Sequence, residues 1–147
     1  MKKLSLILAL LAAPCAFAAD VKLELTGNDQ MQFNTKTLEV TTGDKVTLAF
    51  SHIGKLPAVA MGHNVVILKP GTSIPTFSAK CAPAKDHGYI PQDAESKAAI
   101  VAHTTLLGGG QSENITFTAP EPGAYPYVCT FPGHFAIMQG VLTVKAK

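Results

Sequence analysis

The segment Cys129-Thr130-Phe131-Pro132-Gly133-His134-Phe135-Ala136-Ile137-Met138 gathers a thiol, an imidazole and a thioether in one short stretch. Pro132-Gly133 in its middle is a turn signal. A loop of this length can therefore aim Cys129, His134 and Met138 at one point. Thiolate, imidazole and a weak thioether are the donors of a blue-copper electron-transfer centre, which then lacks only a second imidazole. Each residue also has a plainer reading. Cysteine is among the most often buried residues, methionine fills gaps in cores, and Pro-Gly-His is an ordinary turn. A Cys129–His134 nucleophile is a further chemistry for the same pair, but it leaves Met138 and any second histidine unused.

The missing imidazole must come from His52, His63, His87 or His103. His63 is the best candidate, because it opens the apolar, β-branched run Asn64 to Leu68, and the end of such a strand can meet the Cys129 loop. That run reads as a strand buried on both faces. Strand-like sequence also flanks the loop, at Ala124 to Val128 and Gly140 to Val144. Val21 to Leu25 alternates apolar and charged residues, Asn114 to Phe117 alternates apolar and polar ones, and Leu38 to Val40 and Lys45 to Phe50 read as two more strands around the turn Thr42-Gly43-Asp44. Seven or eight short strands with frequent turn signals predict an all-β, Greek-key antiparallel β-sandwich. One long segment, Lys69 to Gly110, interrupts the pattern and predicts a short helical insertion. Ser73 can cap a helix with Pro75 in its first turn, running through Phe77, Ala79 and Cys81 until Pro83 ends or kinks it. A second helical turn is expected over Ala94 to Val101.

The N-terminus has the form of a secretory signal peptide over residues 1–18: Lys2-Lys3, an apolar stretch from Leu4 to Ala13, and an Ala16-Phe17-Ala18 cleavage pattern. Its removal takes Cys15 with it and leaves one domain, residues 19–147, expected in a bacterial periplasm. The precursor's formal charge of +2 rests on Lys2 and Lys3, so the exported chain is neutral. It contains no arginine and its lysines are scattered, which argues against nucleic acid as a partner. Cys81 and Cys129 remain. If Cys129 binds metal, Cys81 has no partner for a disulfide, and its apolar neighbours predict a buried thiol.

The loop Cys129-Thr130-Phe131-Pro132-Gly133-His134-x-Ala136-x-Met138 resembles the copper loop of the azurins, members of the cupredoxin family. Gly27-Asn28-Asp29-Gln30-Met31-Gln32-Phe33-Asn34-Thr35, Ser51-His52, Leu56-Pro57, Met61-Gly62-His63-Asn64 and Ile100-Val101-Ala102-His103-Thr104 are similar to azurin segments and occur in the same order. The resemblance implies a cupredoxin-like fold and one copper per chain, held by Cys129, His63 and His134 in a plane. Met138 would be the long axial ligand, with the Gly62 carbonyl on the other face. It implies that Asn64 ties the two ligand loops together, and that the backbone N–H groups of Asn64 and Phe131 donate to the Cys129 sulfur and tune its potential. His52 is expected near the site, where its protonation could be linked to redox state.

The departures from azurins are specific. Val21 and Asp44 stand where the family has a disulfide, Val65 follows Asn64 where a tryptophan is common, and Lys69 to Gln92 diverges. The function implied is a periplasmic one-electron carrier cycling Cu(II)/Cu(I), and not an enzyme. A copper-delivery protein is the alternative, distinguished by a more exposed, exchangeable site. Its partners would be periplasmic redox proteins docking transiently on an apolar patch formed by Met61, Pro132, Phe135 and Ala136, with the His134 ring edge as the port. The expected state is a monomer with no membrane span.

Overall fold

The computed structural model describes residues 18–147; the signal peptide read from residues 1–18 lies almost wholly outside them. Among the described residues, nine strands form two sheets. The first sheet has the order β2 (Gln32–Phe33), β1 (Asp20–Asn28), β4 (Lys45–His52), β7 (Ser112–Thr118). The second has the order β3 (Thr37–Thr41), β9 (Gln139–Lys145), β8 (Gly123–Val128), β5 (Val66–Leu68), β6 (Ile100–His103). This is the two-sheet β-sandwich that the strand pattern predicts. Two of its pairs, β1 with β4 and β3 with β9, run parallel because the chain crosses between sheets; the rest are antiparallel. No helix among the described residues is long and apolar enough to cross a membrane.

The alternation read in the sequence becomes the core. Leu25, Val46, Leu48, Phe50, Val65, Ile67, Tyr127 and Leu142 meet between the sheets, and Cys129 and Met138 belong to the same cluster. Burying each such large apolar side chain contributes about 1.5–3 kcal/mol. Strand β5 is buried at all three positions for a second reason. Its outer residues Val66 and Leu68 are covered by the insertion, through Phe77, Cys81 and Ile90.

The insertion starts as expected with α2 (Ile74–Ala79), where the Ser73 hydroxyl accepts from the Thr76 N–H and Pro75 lies in the first turn. It ends before Cys81, and a 3-10 segment follows from Ala82 to His87. Helix α3 is shorter than expected, Ala94–Ala99. Ile100 and Val101 leave it to pair as β6 against β5, since their β-branched side chains fit a strand edge better than a helix end. A four-residue helix, α1 (Ala58–Met61), adds to these elements between β4 and β5. Cys81 and Cys129 are both free and buried. Asp44 does part of the work of the absent disulfide: its carboxylate accepts from the N–H groups of Ala19 and Thr41 and fastens the N-terminal end of β1.

Candidate metal centre

Register places the candidate ligands together. Val66 of β5 pairs with Val128 of β8, so the chain entering β5 lies beside the chain leaving β8. His63 is fixed by two backbone hydrogen bonds with Leu107, N to O at 2.9 Å and O from N at 2.8 Å. The loop from β8 to β9 closes on itself. Cys129 N–H donates to the Met138 carbonyl at 3.0 Å, Met138 N–H to the His134 carbonyl at 2.8 Å, and His134 N–H to the Phe131 carbonyl at 3.0 Å.

Three donor atoms converge as a result. The Nδ1 atoms of His63 and His134 are 3.1 Å apart, and the Cys129 Sγ lies 3.8 and 3.7 Å from them. The circle through these three atoms has a radius of about 2.1 Å, within the range of metal–nitrogen and metal–sulfur bonds. The His63 tautomer is fixed from outside. Its Nε2 lies 2.8 Å from the Asn28 carbonyl, which only accepts, so Nε2 carries the proton and Nδ1 offers a lone pair to the centre. All three ligands are buried.

The surroundings are as specific as the triangle. The Gly62 carbonyl is 4.0 Å from the Cys129 sulfur. A Cβ at Gly27 would stand 3.0 Å from the His63 ring and 3.3 Å from the Met138 methyl, so β1 approaches both ligands closely and Gly27 leaves room for them. Asn64 Oδ1 accepts from the Thr130 N–H at 2.8 Å, while its Nδ2 donates to the Thr130 hydroxyl at 2.7 Å and to the Gly88 carbonyl at 3.3 Å. Burial pushes the Cys129 thiol up to about 11, and the backbone N–H groups of Asn64 and Phe131 work against it by favouring the thiolate. Burial also lowers His134 to about 4, with the neighbouring His63 and His52 adding to the effect. In His63 burial outweighs the Asn28 carbonyl, and the ring is held below its ordinary value.

These shifts set the proton balance of metal uptake. At pH 7 the two imidazoles are already neutral and the thiol is protonated, so uptake of one ion releases about one proton. Affinity should fall at least tenfold per unit as pH drops below 7, and more steeply where the imidazoles take up protons, for His134 near 4. Calorimetric titration in buffers of different ionisation enthalpy reads the proton count; release of two or more protons at pH 7 would contradict the neutral imidazoles.

His52 lies against the triangle without joining it. Its ring stacks on that of His63 with centroids 4.3 Å apart. Its Nε2–H donates to the Met61 carbonyl at 2.8 Å and its Nδ1 accepts from the Gly54 N–H at 3.1 Å. His103 is exposed on β6 and His87 is exposed in the insertion. Around the loop, Pro132 and Ala136 are exposed and Met61 is half-buried. Two residues sit differently from expectation. His134, expected to present its ring edge to solvent, is only 3% exposed, because the Phe131 ring leans on it at 4.6 Å. Phe135, expected on the docking face, turns partly inward against the second cluster, where Phe77, Cys81 and Ile90 offer apolar surface. Asn28, Thr130 and Gly88 were not singled out as partners of the site. Each except Thr130 acts solely through a backbone carbonyl, which residue type does not reveal.

A two-sheet sandwich with a buried His-Cys-His triangle between its strand ends defines a cupredoxin-type copper protein. The family model described as copper-binding proteins of the plastocyanin/azurin family matches residues 19–145. Azurin of Pseudomonas aeruginosa is 38% identical over 143 residues, covering 95% of this chain and 94% of its own. Azurin of Alcaligenes faecalis is 38% identical over 129 residues, covering 85% and 97%. The crystal structure of dithionite-reduced auracyanin from Roseiflexus castenholzii superposes with a TM-score of 0.76 at 34% identity, covering 86% of this chain and 98% of that one. The chain belongs to the plastocyanin/azurin family of copper-binding proteins. Like other members of that family it is an electron-transfer protein and not an enzyme, and its cofactor is copper.

Proposed function

We propose that the chain is a periplasmic one-electron carrier whose single copper ion would be held by His63, Cys129 and His134, with Met138 and the Gly62 carbonyl as the further groups beside it. The observation that carries this reading is the buried triangle of two imidazole nitrogens and one sulfur, sized for one ion. Copper bound there supplies the Cu(II)/Cu(I) couple. The residues supply a rigid cage that changes little between the two states. Asn28 holds the His63 ring, Asn64 holds both ligand loops, and the amides of Asn64 and Phe131 steady the thiolate. The signal-peptide pattern of residues 1–18 supports export to the periplasm. Partners dock by small, transient, mainly apolar contact.

His52 holds the His63 ring from its other side: the two rings stack at 4.3 Å, and the His52 nitrogens are satisfied by the Met61 carbonyl and the Gly54 N–H.

Addition of Cu(II) to the purified protein tests the reading: one equivalent should bind and give an intense visible band from sulfur-to-copper charge transfer. A colourless, copper-replete protein would end it. Met138 should tune the centre more than hold it, because a thioether would be a weak ligand beside a thiolate and two imidazoles. Met138→Leu is therefore expected to keep copper and colour and to raise the reduction potential, read by redox titration. Loss of copper would make Met138 a primary ligand.

A further inference from the structure

The His134 imidazole leads from the metal site toward the protein surface, yet it is 3% exposed, so a partner touches little of it directly. A line of rings continues outward from it. Phe131 packs on His134 with centroids 4.6 Å apart, and Tyr89 meets Phe131 edge-on at 5.2 Å. Tyr89 belongs to the divergent insertion and lines a surface groove of about 230 Å³ with Ala58, Val59, Lys85 and Leu106.

Three observations mark this groove. Tyr89 has a φ of 64°, a left-handed conformation that costs a bulky residue free energy and that follows Gly88 in the same region at 62°. Such strain at a non-glycine residue points to a use for its side chain. The segment is also fastened to the metal site, since the Gly88 carbonyl accepts from Asn64, which bridges the ligand loops. Finally, α1 is apolar throughout and buries none of its residues, with Val59 88% exposed and Leu56 just before it 42% exposed. A helix of this composition facing outward contributes nothing to the core and marks a contact surface.

Charge narrows the kind of partner. Lys85 lines the groove and Lys55 precedes α1, and neither has an ion-pair partner among the described residues. The nearby Asp29 carboxylate accepts from the backbone N–H groups of Lys55 and Leu56. Asp86 is exposed but does not line the groove.

We infer that the electron-transfer partner seats on the groove between α1 and the insertion, that the partner is a redox protein with an apolar face edged by carboxylates, and that Tyr89 and Phe131 couple it to His134. The inference rests on the electron-carrier reading above and moves the contact from the Pro132–Ala136 loop toward Tyr89. One electron leaves Cu(I), which becomes Cu(II), and reduces the acceptor by one; Tyr89 and Phe131 mediate and are not themselves oxidised.

Two probes test it. Hexacyanochromate(III), a redox-inert paramagnetic trianion, stands in for the carboxylate edge. In NMR spectra of the Cu(I) protein, and again of the metal-free protein, it should broaden Lys85, Tyr89 and Val59 most, and Lys85→Glu should remove the effect. Hexacyanoferrate(III) then serves as the acceptor, going to hexacyanoferrate(II) as the copper is oxidised. Lys85→Glu should slow this oxidation about tenfold at low ionic strength and less at high salt. Tyr89→Leu should slow it at every salt concentration, whereas Tyr89→Phe, which keeps the ring, should retain the wild-type rate. Broadening centred on Pro132 and Ala136, or a blue Tyr89→Leu protein reacting at the wild-type rate, overturns the inference and leaves the carrier reading intact. A wild-type protein that never turns blue overturns both.

Discussion

Cys129→Ser is expected to give a folded protein that shows no blue band at any copper concentration. The colour requires an electron to move from thiolate sulfur to Cu(II), and a serine oxygen does not supply it. The effect should be complete, because Cys129 is the one thiol of the triangle and Cys81 has no place in it. Folding should survive. The serine side chain is slightly smaller, and the N–H groups of Asn64 and Phe131 that face the sulfur can donate to a hydroxyl instead. The metal-free variant should therefore lie within about 2 kcal/mol of metal-free wild type in denaturant unfolding, as isosteric changes at buried sites do. A blue Cys129→Ser protein would place the copper on other ligands. Cys81→Ser is the matched control and should keep the full band. It removes a buried thiol whose pKa burial raises to about 12 and which donates to the Phe77 carbonyl, so it acts on the second cluster alone.

The parts of the site that the sequence made legible are those where chemistry and spacing coincide. Cys129, His134 and Met138 lie in one loop between two alternating strands, and His63 begins a run of β-branched residues whose burial on both faces was readable from composition. What stayed hidden has common physical causes. Asn28 and Gly88 serve the site through carbonyl oxygens, which every residue possesses. Strand β2 is two residues long and carries no periodicity. At Ile100 and Val101, helix-compatible spacing lost to pairing with β5, a contact with residues far away in sequence. Phe135 looked like surface because its loop neighbours are exposed. Its ring turns inward because the insertion provides Phe77, Cys81 and Ile90 to receive it, and where an insertion packs depends on contacts distant in sequence that no local pattern encodes.

The insertion's attachment leads to the second large effect, at Asn64. This side chain is fully buried and makes three hydrogen bonds: it accepts from the Thr130 N–H and donates to the Thr130 hydroxyl and the Gly88 carbonyl. Asn64→Ala strands a buried N–H on the ligand loop and frees the insertion from the segment that carries His63. Each unsatisfied buried group costs about 1–3 kcal/mol, so a loss of about 2–4 kcal/mol is expected, read as a lower denaturant midpoint at unchanged slope. Asn64→Asp separates the two functions of the amide. Its carboxylate still accepts from the Thr130 N–H but cannot donate to the Thr130 hydroxyl or to Gly88, and it places a charge in a buried site. It should be no more stable than the alanine variant, although it keeps one more hydrogen bond. In copper-loaded protein, both variants should let the loop relax around the thiolate, broadening the visible band and shifting the reduction potential, since the Phe131 amide that steadies the sulfur sits next to the loosened Thr130. If Asn64→Ala unfolds within about 0.5 kcal/mol of wild type, as an ordinary surface change does, the amide is not what joins the two ligand loops.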